Sequence, residues 1–208
     1  VQVARKPNEP TSEEVQAHNE LHEPYRSWCP YCVAGRGRAD RHSVHDHRED
    51  ALAVIGMDYG FLGKELEATP LLCAKDQKQR WFYGLALPGK GVGEWSCKSM
   101  AVQIRLAGHK RLVLRSDSEN AMLAFKREVG KVLTSEFGQE VVPEDAYTGD
   151  TSSQSNGLAE HAVHEIKAKV LTFKVATEQY LRTKIRPDHP GLTWLVGWAA
   201  LSINISRR

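Results

Sequence analysis

The sequence has no apolar run approaching the ~20 residues that a membrane-crossing helix needs. It also lacks a secretory opening segment, so neither a membrane protein nor a secreted one is expected. Cysteine is scarce, four in 208 residues, and without a secretory signal these do not read as a disulfide framework. Neither sign of charge dominates: 28 Lys and Arg stand against 26 Asp and Glu, a formal net charge of +2. There are no internal repeats and no collagen-like or low-complexity tracts. With 41% hydrophobic and 26% charged residues, a wholly disordered chain is excluded as well. An initiator Met is missing, and the chain ends Asn204-Ile205-Ser206-Arg207-Arg208 within an apolar pattern, which suggests a piece of a longer polypeptide.

The charge is uneven along the chain. Residues 1–50 are net −2, residues 51–150 neutral, and residues 151–208 net +4, so an anionic partner is expected near the end. Residues 1–12 read as a flexible tail, and residues 13–22 as a short helix capped by Thr11 or Ser12 and stopped by Pro24. The Gly/Arg/His-rich stretch 34–50 reads as a linker. From residue 51 the pattern becomes globular. Strands are expected over 51–59, 70–76, 80–87, 111–117 and 140–143. Helices are expected over 94–107, 119–136, 157–184 and from 191 onward, with a polar loop from Tyr147 to Asn156. That order, three antiparallel strands and then alternating helices and strands, predicts an α/β fold. It is a mixed five-stranded sheet with helices on both faces, spanning 51–208.

Two constellations carry chemistry. His18 and His22 lie one helical turn apart, and Cys29 and Cys32 form a Cys-x-x-Cys pair. The four make a His₂Cys₂ set suited to one tetrahedral Zn²⁺, a zinc module over 13–33. Only six residues separate His22 from Cys29, so the module is minimal, with Tyr25, Trp28 and Tyr31 available to cover it. His42, His45 and His47 read as parts of a solvated linker, and Cys73 and Cys97 as small buried hydrophobes. The second constellation is acidic. Asp58 stands at the end of an apolar strand, where a carboxylate needs a partner or a metal. Asp117 ends another strand, and Glu160 opens the long helix. Like carboxylates gather only around cations, and hard oxygen ligands without nearby Cys select Mg²⁺ or Mn²⁺. Two such ions can serve both the attacking and the leaving oxygen of a phosphodiester. Lys167, two helical turns beyond Glu160, shares its face, and a basic face of this kind suits DNA phosphates.

Three segments resemble the D, D and E blocks of retroviral and LTR-retrotransposon integrases. They are Ile55-Gly56-Met57-Asp58-Tyr59, Leu114-Arg115-Ser116-Asp117, and Gln154-Ser155-Asn156-Gly157-Leu158-Ala159-Glu160. The resemblance covers residues 13 to about 205 and extends to the His-His-Cys-Cys module. It implies a ribonuclease-H-like core with Asp58, Asp117 and Glu160 as catalytic ligands of two Mg²⁺ or Mn²⁺ ions, Asp58 bridging them. It further implies Zn²⁺ in the N-terminal module, and element ends and target DNA as partners. Lys167 and His164 match positions that grip the DNA end, and Gln154 and Asn156 belong to the same DNA-contacting block. The implied activity is DNA 3′-end processing and strand transfer by a homo-oligomer, in the nucleus and in cytoplasmic virus-like particles. The sequence departs from the pattern in its 42 residues between Asp117 and Glu160, in Ser118-Glu119-Asn120, and in His161. A cut-and-paste DDE transposase, or a catalytically inactive zinc-dependent DNA-binding protein, stays open as an alternative.

Overall fold

Val54-Ile55-Gly56-Met57 does not alternate in polarity because its strand lies in the middle of the sheet, covered on both faces. The structure is a computed structural model describing residues 10–35, 52–62, 69–143, 157–186 and 189–206. Two short helices, α1 (Ser12–Leu21) and α2 (Pro30–Gly35), come first. Then follow β1 (Ala53–Leu62), β2 (Thr69–Asp76), β3 (Phe82–Ala86), α3 (Glu94–Arg105), β4 (Arg111–Ser116), α4 (Asn120–Phe137), β5 (Glu140–Val142), α5 (Gly157–Leu181) and α6 (Pro190–Ser206).

The strands form one sheet in the order β3-β2-β1-β4-β5, with β2 antiparallel to both neighbours and β4 parallel to β1 and β5. This is the expected mixed sheet, and its order and directions are those of a ribonuclease-H-like fold. β1 runs three residues past the expected end, so Asp58 lies within the strand rather than at its tip. Its neighbour β4 is the strand that stops there, at Ser116.

Alternate residues of β1 serve different layers. Ile55, Met57 and Tyr59 pack with Met100 and Ile104 of α3 and with Met122, Phe125 and Leu133 of α4. On the other face, Leu71, Cys73 and Phe82 pack with Ile166 and Val170 of α5 and with Val196 and Ile203 of α6. Between these, β1 presents Gly56, Asp58 and Gly60 to α5. A Cβ on Gly60 would lie 2.8 Å from Val163 Cγ1, and one on Gly56 would lie 3.3 Å from the Ala159 nitrogen. The two glycines let α5 lie close over β1, and they leave Asp58 as the one functional side chain on that stretch.

α6 covers the β3 edge of the sheet at one point with a side chain. The buried Asn204 amide donates to the Phe82 carbonyl at 2.8 Å and accepts the Phe82 N–H at 2.8 Å, as a neighbouring strand would. Asn204→Leu removes both bonds and is expected to cost about 2 kcal/mol of stability. Urea unfolding monitored by tryptophan fluorescence measures it, and an unchanged midpoint would show that water substitutes for the amide.

Candidate functional site

The parallel pairing of β1 with β4 ends at Met57 opposite Ser116, so Asp58 and Asp117 stand side by side at the next step. α5 begins directly above, with Leu158 and Ala159 against Gly56, and this brings Glu160 in its first turn to the same end of the sheet. Burial raises the pKa of Asp58. The Tyr59 N–H, 2.7 Å from Asp58 Oδ1, opposes that, and the charges of Asp117, Glu160 and Glu119 raise it further. The charges of the other two predicted acidic residues thus reach Asp58. Glu119, which the sequence reading did not include, joins them, and its N–H donates to Asp117 Oδ1 at 3.2 Å. The donor set is all hard oxygen, which fits Mg²⁺ or Mn²⁺. The carboxylates do not gather as tightly as the zinc quartet described below.

α5 is used on three sides. Ala162, Ile166, Val170 and Phe173 face the sheet, and Ala159 lies against Gly56. Glu160, His164, Lys167 and Leu171 recur at spacings of four and three, and so share a second side. Lys167 is exposed at its end, but its stem crosses β1 beside Asp58: a Cβ on Gly60 would lie 3.6 Å from Lys167 Cδ. The thiol of Cys73, opposite Asp58 on β2, is pushed up to about 12 by burial and by Asp58, with Lys167 acting against the shift. His164 is half-buried, its Nδ1 3.8 Å from Glu165. Gln154, Asn156 and the histidines at 42, 45 and 47 lie outside the described residues.

The third side of α5 receives the N-terminal helices. α1 starts with a reciprocal capping box between Thr11 and Glu14 and ends at His22 in the left-handed region, φ 51°. The turn that follows returns the chain to Cys29 and, past Pro30 at the start of α2, to Cys32. Cys29 Sγ lies 3.4 Å from His22 Nδ1, and Cys32 Sγ lies 3.4 Å from His18 Nε2. All four ligand atoms fall within 4.8 Å of one another, and all four residues are buried. A tetrahedral zinc site with ordinary bond lengths has N–S edges of about 3.5 Å, so the quartet fits the ion. Burial lowers both imidazole pKa values, that of His22 to about 4, which keeps the rings neutral as ligation requires. Burial pushes the Cys32 thiol up, so zinc must displace its proton. Trp28 packs on His18 and Tyr31 on His22, as expected, and Tyr25 and Trp28 are equally exposed on their outer sides, at 38% and 37%. Phe173 of α5 completes the cover over His22.

The docking is specific. Lys169, in a basic stretch of α5, is only 7% exposed. Its ammonium donates to the carbonyls of Leu21 (3.0 Å) and His22 (3.1 Å) and pairs with Glu23 at 2.8 Å. It thus satisfies carbonyls at the end of α1 that have no helical partner. Ala34 and Gly35, read as the start of the linker, end α2 instead. A Cβ on Gly35 would lie 2.8 Å from the Ala168 carbonyl, so α2 rests directly on the α5 backbone.

No family model and no curated protein matches this sequence. Among solved structures, the chain is similar to the catalytic core domain of BIV integrase, at 18% identity and a TM-score of 0.45, over 74% of this chain and 85% of that one. It is also similar to the HTLV-2 integrase catalytic core domain in complex with magnesium, at 15% identity and a TM-score of 0.46, over 72% and 82%. A third similarity is to a chain of the simian T-cell lymphotropic virus intasome in complex with PP2A regulatory subunit B56 gamma. There the identity is 14% and the TM-score 0.47, over 91% of this chain and 60% of that one. None of the three determines what this chain does.

Proposed function

We propose that this chain is the zinc module and catalytic core of an integrase of the retroviral or LTR-retrotransposon kind. The observation that carries the reading is the approach of Asp58 in β1, Asp117 just after β4 and Glu160 in α5 at one end of the sheet, where the charges of Asp117 and Glu160 reach Asp58. Asp58, Asp117 and Glu160 would hold two Mg²⁺ or Mn²⁺ ions. When bound, such ions supply Lewis acidity to the attacking and leaving oxygens of a phosphodiester. The protein's own work is positioning. Lys167 and His164, on the open side of α5 with Glu160, hold the DNA backbone beside the carboxylates, with Gln154 and Asn156 in the segment that leads into the helix. His18, His22, Cys29 and Cys32 hold one Zn²⁺, which folds the N-terminal module rather than taking part in the chemistry. The substrates are element ends and target DNA, and the compartments are the nucleus and the cytoplasmic virus-like particle.

The test is Mg²⁺- or Mn²⁺-dependent nicking and strand transfer on a labelled DNA duplex. Wild-type protein is expected to give products, and Glu160→Gln none, while Glu160→Gln binds the duplex as well as or better than wild type. Lys167→Ala is expected to weaken binding and to lower the salt slope by about one unit. Metal-independent products, or full activity of Glu160→Gln, would remove the catalytic assignment. Zinc-dependent DNA binding without any cleavage would leave the non-catalytic alternative.

A homo-oligomer fits the surface. Trp95 and Val102 of α3 and Leu106 at its C-terminal cap form an exposed apolar row, and Trp194, Leu201 and Ile205 form another on α6, with Trp198 stacked on Trp194. The helices flank the edge strand β3 from opposite faces, and both reach Gly84. Two such rows beside one sheet edge suit a second copy of the chain. Trp194→Glu combined with Leu201→Glu is expected to halve the mass measured by light scattering, and a monomeric wild type would exclude the dimer.

A further inference from the structure

The reading as a DNA-acting enzyme leaves one lysine at the acidic end of the sheet without a role. Lys90 lies in the turn between β3 and α3, outside the basic region that the sequence pointed to. Its ammonium sits 5.1 Å from the Tyr59 ring and 5.3 Å from the Phe61 ring, the residues one and three positions past Asp58. The turn is held there by Gly91, whose N–H donates to the Tyr59 hydroxyl at 3.2 Å. Tyr59 and Phe61 point to the opposite face of β1 from Gly60 and Lys167. The carboxylate end of β1 is thus bracketed by cations, Lys167 on the α5 side and Lys90 on the α3 side.

Lys90 is already engaged, donating to both oxygens of Glu119 at 2.7 and 2.9 Å. Glu119 in turn donates its N–H to Asp117, so a group held by Lys90 lies next to the expected metal ligands. Both side chains are about one-third exposed, at 33% and 37%. An ion pair that open to water and salt contributes little and exchanges readily. A phosphodiester approaching four carboxylates is repelled unless a cation receives it, and an ammonium on a flexible stem is a point charge that suits a phosphate oxygen.

We propose that Lys90 is a phosphate-binding residue of this site, and that Glu119 holds it in place until a DNA phosphate displaces the carboxylate. This rests on the reading of the chain as a DNA-acting enzyme. Glu119 then acts twice: it orders Lys90 in the free protein, and it sets an electrostatic threshold against weakly bound anions. It is a positioning residue and does not touch the substrate.

The experiment is a double-mutant cycle on the full chain, reading the affinity for a short fluorescein-labelled DNA duplex with calcium replacing magnesium, over a range of salt. Lys90→Met keeps the stem over the aromatic rings and removes the charge. It is expected to weaken binding and to lower the salt slope by about one unit. Glu119→Gln keeps the shape and frees the ammonium, and is expected to tighten binding several-fold. That gain should shrink in the Lys90→Met background, because most of it comes from the released lysine. An equal gain in both backgrounds would mean that Glu119 repels DNA directly, and the exchange would be wrong. A Lys90→Met salt slope equal to that of wild type would overturn the assignment of Lys90. If wild-type protein does not bind the duplex at all, the enzyme reading itself fails and takes this proposal with it. Thermal unfolding of each variant separates loss of fold from loss of binding.

Discussion

Removing zinc with a chelator is expected to release residues 10–35 from α5 and leave the five-stranded sheet folded. The N-terminal module has almost no core of its own: its centre is the quartet His18, His22, Cys29 and Cys32, with Trp28, Tyr31 and Phe173 laid over it. In modules this small the binding energy of the metal is the folding energy, on the order of 10 kcal/mol. Once α1 and α2 unfold, Lys169 loses the carbonyls of Leu21 and His22, and Ala168 and Thr172 lose the cover of Gly35. Amide exchange along residues 165–173 should therefore rise on chelation, while exchange in β1 and β4 should not. Lys169→Met tests the same contact with zinc in place. It leaves Glu23 and two carbonyls without their cation and should weaken the docking by about 3 kcal/mol. Exchange on α5 that ignores zinc would show that the module is not held on this side.

Asp58→Asn is expected to abolish metal-dependent nicking and, with no divalent ion present, to make the protein more stable. Burial, together with the charges of Asp117, Glu160 and Glu119, raises the pKa of Asp58 above its ordinary value of 3.8, so the fold disfavours the ionised form. Below 3.8 the carboxyl is protonated in both folded and unfolded chains and contributes nothing. As pH rises through 3.8 and then through the raised folded value, stability is lost, and the full cost stands at neutral pH. Asn carries no such cost. In metal-free buffer the variant should melt above wild type at pH 7, and the gap should close toward pH 4. Mg²⁺ or Mn²⁺ should raise the melting temperature of wild type more than that of the variant, since the ion supplies the charge the carboxylates lack. A variant that melts below wild type at neutral pH would show that Asp58 is held by a structural partner.

The parts legible in the sequence are those with a short repeat or a fixed spacing. The five strands, the core helices and the His-His-Cys-Cys set declare themselves within a few residues of chain. Asp58 stood out because it interrupts an apolar run. Its place within β1 did not, because β1 is carried on to Leu62 by its pairing with β2, opposite Thr69, which the local sequence does not show. Lys169 escaped because α5 has partners on two sides. With the sheet and the N-terminal module each taking one face, no single apolar stripe remains, and a buried lysine looks like the exposed Lys167 beside it. α2 escaped because six residues starting at a proline inside Cys-x-x-Cys carry no helical period. Lys90 and Glu119 are 29 residues apart, and no local pattern joins them.

The Asn204 amide on Phe82 bears on how copies of this chain can meet. An open edge strand invites another strand to continue the sheet, and that contact repeats without limit. Here a side chain from α6 already occupies the outward-facing groups of β3 at Phe82, so addition of a strand at that point is blocked. If copies of this chain pair as proposed, the tryptophan-bearing helices on either side of β3 would carry the contact in place of that point of the edge. A contact between identical helical faces is satisfied once two molecules have joined, which yields a closed pair and not a growing fibre.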